Sequence, residues 1–201
     1  MNAIVAASAP KRRRSRKIPE ALIYEIVDGK PIYYKGYRDV LKGKLKLEEI
    51  MPESSLQAWL KAQLTILLGN LLATKGVELM TGELGLLTGN RGRRGADISF
   101  YRKDQIILSP HFLKIPPEVI LEIDIQAELE EEDEMDYIAS KIADYHHFGV
   151  KKVIWIFTSS RKITVADTGK PWVTYDWSET IETIEGTAFN LEKMLEGRTI
   201  G

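Results

Sequence analysis

The sequence predicts a mixed α/β domain, a central sheet flanked by helices. Two observations predict it: long segments with helical spacing at 52–75 and 128–148, and short apolar strands lying between and after them. With 201 residues, 44% of them hydrophobic and 28% charged, the chain can bury one substantial core. We therefore expect a single domain over 19–201, preceded by a basic tail over 1–18 that is expected to be disordered.

The runs 21–27 and 31–35 are rich in β-formers and are separated by Asp28-Gly29, a pair suited to a turn in which both residues take positive φ, so a hairpin is predicted. Residues 36–50 are charged and carry no clear period. Pro52-Glu53-Ser54-Ser55 then opens a helix reaching about Lys75, with Leu56, Leu60, Leu64, Leu67 and Leu71 at helical spacing. Beyond Gly76, strands are predicted at 77–80, 84–87, 96–101 and 118–125. Pro110, Pro116 and Pro117 impose a non-helical connection before the last of these. A second helix spans 128–148, strands follow at 151–157, 162–166 and 172–175, and a short helix at 191–195 ends the series.

The absence of cysteine excludes disulfides, thiolate metal sites and a cysteine nucleophile, and it is compatible with a reducing cytosol. Every apolar run falls short of a membrane span, and the weakly apolar start precedes its basic cluster, the wrong order for a secretory signal. A cytoplasmic protein is expected. The net charge is −1, but Lys11, Arg12, Arg13, Arg14, Arg16 and Lys17 contribute +6, which leaves −7 on the rest. An acidic body weighs against binding nucleic acid by a broad basic face.

Two carboxylates are out of place. Asp97 interrupts an apolar strand, and Glu122 interrupts the still more apolar Val119-Ile120-Leu121-Glu122-Ile123. Charges buried on neighbouring strands need compensation, either from a shared hard cation such as magnesium or manganese or from Arg91, Arg93 or Arg94. In the second helix, Lys141 falls on the same stripe as Ile138, Ile142, Tyr145 and Phe148. It either snorkels outwards or reaches the two acids. In the latter case two acids, a lysine and a divalent ion make a site suited to phosphodiester hydrolysis. Glu83, in Thr81-Gly82-Glu83-Leu84-Gly85, is either a further acid of that site or a turn residue.

These pieces, taken in order, resemble the Uma-two family of restriction-endonuclease-like proteins, whose members carry the PD-(D/E)XK nuclease fold. The resemblance covers most of the chain. It is carried by the Asp28-Gly29 hairpin, Thr81-Gly82-Glu83-Leu84-Gly85, Arg94-Gly95-Ala96-Asp97-Ile98-Ser99-Phe100, Pro116-Pro117-Glu118-Val119-Ile120-Leu121-Glu122-Ile123, Lys141 with Tyr145, Gly149-Val150, and Val153-Ile154-Trp155-Ile156. It implies a magnesium- or manganese-dependent endonuclease acting on DNA, with Asp97, Glu122 and Ile123 at the metal. Lys141 would be the catalytic lysine and Glu83 an additional acid. It also implies a homodimer, since restriction-type nucleases usually cut both strands as two-fold pairs.

The sequence departs from the family pattern in three places. Asp124 stands where the superfamily's standard lysine would be and is a possible extra ligand on the same strand face as Glu122. Gln57 replaces a usual histidine, and Asp124-Ile125-Gln126-Ala127 replaces a usual Ser-Pro. These departures and the acidic body motivate an alternative, a nuclease-fold module without turnover that binds nucleic acid or serves in a larger complex. Arg91, Arg93 and Arg94 are the candidates for phosphate contacts.

Overall fold

At the first turn the chain does what its chemistry requires: Asp28 and Gly29 take φ of 50° and 78°, and β1 (Ile23–Val27) pairs antiparallel with β2 (Lys30–Tyr33). This computed structural model describes residues 18–89, 92–129 and 134–200. The basic cluster, Arg91 and the acidic positions 130–133 lie outside the described residues. The aperiodic stretch after the hairpin forms two short helices, α1 (Tyr37–Leu41) and α2 (Leu47–Ile50).

Ser54 caps the long helix α3 (Ser55–Leu72), its hydroxyl accepting the Gln57 N–H at 3.2 Å. The buried stripe is Leu60, Leu64, Leu68 and Leu72, whereas Ile66 and Leu71 are exposed. The predicted stripe through Leu67 and Leu71 is thus rotated. The helix is apolar nearly all round, so spacing alone cannot choose the inward face.

Six strands make the central sheet: β3 (Val77–Leu86), β4 (Arg94–Arg102), β5 (Val119–Ile123), β6 (Lys152–Phe157), β7 (Lys162–Asp167) and β8 (Val173–Asp176). They neighbour one another in that order, antiparallel throughout except for the parallel pair β5–β6. That parallel step requires a crossover, supplied by α4 (Glu134–Phe148). The two predicted strands around Gly82 are one strand with a register shift between Thr81 and Leu84, where Glu83 takes φ of 55°. A small pair, β9 (Ile181–Glu182) with β10 (Ala188–Phe189), and α5 (Leu191–Met194) complete the described fold.

Alternation along β5 and β6 divides the core in two. Val119, Leu121, Ile123, Ile154 and Ile156 pack with the α3 leucines, Trp177, Phe189 and Leu191 on one face. Ile120, Val153 and Trp155 pack with Tyr137, Ile138, Ile142 and Tyr145 of α4 on the other. The sheet is therefore sealed by a helix on each side, and the ends of β4 and β5 are held between α3 and α4. Among the described residues no helix is long and apolar enough to cross a membrane.

If this face of α3 seals the core, Leu64→Ala lowers unfolding free energy by about 2–5 kcal/mol in chemical denaturation. The same truncation at exposed Ile66 changes it by about 0.5 kcal/mol or less.

Candidate active site

The β4–β5 ladder runs from Phe100↔Val119 to Ile98↔Leu121 and then opens. Asp97 and Glu122 stand one step beyond the last pair. There the Asp97 carboxylate replaces a backbone acceptor: Ile123 donates its N–H to Asp97 Oδ2 at 2.8 Å. Both acids are buried, as their apolar settings predict.

Each acid meets a lysine from a different helix. Lys141 of α4 does not snorkel; at 1% exposure its ammonium lies 3.2 Å from Glu122 Oε1 and 2.9 Å from Glu25 Oε1. The rings of Tyr24, Tyr145 and Trp155 surround it, with centroids 5.6–5.8 Å away. On the other side, Lys61 of α3 lies 2.7 Å from Asp97 Oδ1 and also pairs with Glu53. Compensation by arginine, the simpler sequence reading, is absent at both acids among the contacts described.

Glu25 is a member of this cluster that sequence reasoning missed. It lies on β1 and is fully buried, where it accepts from Arg94 Nη1 at 2.7 Å, the Tyr137 hydroxyl at 2.8 Å and the Gly95 N–H at 3.1 Å, besides pairing with Lys141. A signal was available, because Glu25 interrupts an apolar strand just as Asp97 and Glu122 do. Lys61 was missed as well, although it interrupts the α3 stripe between Leu60 and Leu64 as Lys141 interrupts that of α4.

Arg94 is correspondingly not free for phosphate. It is 1% exposed, bonded to Glu25 and, through Nε and Nη2, to Asp144 at 2.9 and 2.6 Å. Arg93 is half-buried, its guanidinium 5.7 Å from the Phe112 ring centroid, and Arg91 lies outside the described residues. Asp124 does not join the site. Strand β5 ends at Ile123, and φ of 58° at Asp124 breaks the alternation that would align it with Glu122. Its carboxylate instead accepts the N–H and hydroxyl of Thr158 at 2.8 and 2.7 Å. Gln57, in the histidine's place, donates its side-chain amide to the Ile123 carbonyl at 2.7 Å. Glu83 is exposed on the β3 bulge, close enough to Lys61, Asp97 and Glu53 to feel their charges.

Burial pushes the Glu122 carboxyl up to about 7; Lys141 opposes this, Asp97 adds to it, and the Tyr145 hydroxyl, donating at 2.5 Å, opposes it again. Glu25 goes the other way: burial would raise it, but Lys141 and Arg94 together hold it below the usual carboxylate range. Lys141 resists burial through Glu122 and Glu25 and stays well above its ordinary value. Burial also works against charge on Lys61, which Asp97 and Glu53 outweigh. Glu83 is exposed as a residue, but its carboxyl is partly desolvated by its neighbours, which raises the pKa; Lys61 opposes this, and Asp97 and Glu53 add to the rise.

Among the described residues no three Asp, Glu, His or Cys side chains stand close enough to hold a metal ion by themselves. The donor chemistry nevertheless fits a hard divalent cation. Among the described residues Glu25, Glu53, Asp97, Glu122 and Asp144 pair with three cations, Lys61, Arg94 and Lys141, and Glu122 has its carboxyl raised.

A mixed sheet with its acids at an opened ladder, lysines on both sides and a helix on each face defines a restriction-endonuclease-like nuclease fold. The chain belongs to the Uma2 family, whose profile, described as "Putative restriction endonuclease", matches residues 45–198. Among solved structures it is similar to one described as a "putative nuclease belonging to DUF820" from Anabaena variabilis. That likeness has a TM-score of 0.62 at 13% identity over 85% of this chain and 88% of the other, and it speaks to the fold alone. No curated protein matches the chain.

The raised Glu122 carboxyl has a consequence for stability. Below its unfolded value of 4.5 the group is protonated in both states; between there and about 7 only the unfolded chain ionises, so stability falls as pH rises. The fall in unfolding free energy between pH 4 and pH 8 is therefore smaller in Glu122→Gln than in the parent by about 1–3 kcal/mol, whatever the variant loses at both pH values through Lys141. Chemical denaturation at the two pH values checks this; an equal fall in both proteins contradicts it.

Proposed function

We propose that this chain is a divalent-metal-dependent endonuclease that hydrolyses DNA phosphodiester bonds, with Asp97, Glu122 and Lys141 at its centre and Glu83 at its exposed rim. The observation that carries the reading is the opened β4–β5 ladder, where two buried acids stand together and a buried lysine faces the under-neutralised one. Membership in a family described as "Putative restriction endonuclease" supports it.

When bound, magnesium or manganese supplies Lewis-acid polarisation of a phosphoryl oxygen and lowers the pKa of a water molecule. Asp97 and Glu122 would contribute the oxygens that hold the cation, with the Ile123 carbonyl beside them. Lys141 favours the ionised form of Glu122, which that task requires, and adds positive charge behind the acids from its buried position. Glu25 fixes the Lys141 ammonium from the far side, and Tyr145 orients Glu122 through its hydroxyl. Arg93 is the remaining described candidate for a backbone phosphate contact. In a homodimer each copy would bring one such site to one strand.

Nicking and linearisation of plasmid DNA with manganese test the reading. Asp97→Ala and Lys141→Ala each lower the rate by about 100-fold or more, and a chelator abolishes it. Equal cleavage by parent and both variants assigns the activity to something other than this site.

A further inference from the structure

Lys61 carries an inference that deepens this reading and rests on it. A lysine on the inward face of α3, one turn after Gln57 and between Leu60 and Leu64, is retained there by carboxylates alone: its ammonium is 2.7 Å from Asp97 Oδ1 and also pairs with Glu53. The other oxygen of Asp97 already accepts the Ile123 N–H. Both oxygens of a principal metal-holding acid are thus occupied by groups of this chain, one of them fully cationic.

We propose that Lys61 is a resident counter-cation of the site, seated on Asp97 in competition with the divalent ion and displaced from it when that ion binds. The competition follows from charge: an ammonium and a dication sharing one carboxylate oxygen repel each other at close range in a partly buried setting. Displacement has a route. Lys61 has a long flexible stem, Glu53 is less enclosed than Asp97, and exposed Glu83 lies within electrostatic reach. The ammonium can therefore keep a carboxylate partner while it vacates Asp97. In the absence of metal the same pair neutralises Asp97, so the apo fold is held together by a contact that the metal must undo.

The test is direct binding of manganese to the full chain, followed by electron paramagnetic resonance and calorimetry without DNA, in the parent, Lys61→Met and Asp97→Asn. Lys61→Met preserves the apolar length and removes the charge; Lys61→Gln repeats the measurement if the methionine variant does not fold. The expected result is manganese affinity tightened by roughly tenfold or more in the Lys61 variant and lost in Asp97→Asn. Unchanged or weaker affinity in the Lys61 variant, with binding still lost in Asp97→Asn, overturns the counter-cation role and leaves the metal site standing. Binding that is unchanged in Asp97→Asn overturns the metal site, and the role of Lys61 with it.

Discussion

The ion pair between Lys141 and Glu122, closed off from water by Tyr24, Tyr145 and Trp155, is the contact on which the arrangement depends. A carboxylate buried this deeply is costly unless charge and hydrogen bonds answer it. Here the answer comes from three separate parts of the chain. The helix α4 supplies Lys141 and Tyr145, the hairpin supplies Glu25 to steady the lysine, and β4 supplies Arg94 to steady Glu25. Removing any one weakens the compensation of a buried charge, so the hairpin, the sheet and the crossover helix are held in one geometry by electrostatics as well as by packing.

That chain of partners is also tuned unevenly. Glu25, with two cations, a phenol and a backbone amide, is held firmly ionised, while Glu122, with one lysine and a neighbouring acid, has its carboxyl raised to about 7. Two carboxylates sharing one lysine thereby take different roles. One is a fixed brace, and the other keeps its proton to a higher pH. A site built this way sacrifices stability at the acid that would do the work.

Much of this was legible in the sequence, for identifiable reasons. Asp97, Glu122 and Lys141 stand out because each puts a charge inside an apolar period, while pairing with arginine and snorkelling stayed open until the tertiary fold set Lys141 against Glu122 and Lys61 against Asp97. Glu25 obeys the same rule, but it lies in a short hairpin strand that reads as peripheral until the tertiary fold brings it under α4. Lys61 was hidden by a helix so apolar that its inward face could not be told from spacing. Asp124 misled because alternation was extended one residue past the strand's end, where a left-handed backbone turns its carboxylate to Thr158. Arg94 misled because an arginine after a glycine-rich loop looks like a phosphate contact, whereas its partners are Glu25 and Asp144. The acidic body, which argues against a wide basic face, is partly the site itself: Asp97 and Glu122 share their cations and those cations' partners with three further carboxylates, Glu25, Glu53 and Asp144.

The central claim is that Asp97 and Glu122 form one metal-holding centre. Crystals grown with manganese and measured at an anomalous wavelength test it most directly. The account predicts a single strong anomalous peak within about 2.3 Å of a carboxylate oxygen of both residues. A fully occupied structure in which manganese binds elsewhere, with both acids still held only by Lys61, Lys141 and Tyr145, contradicts it.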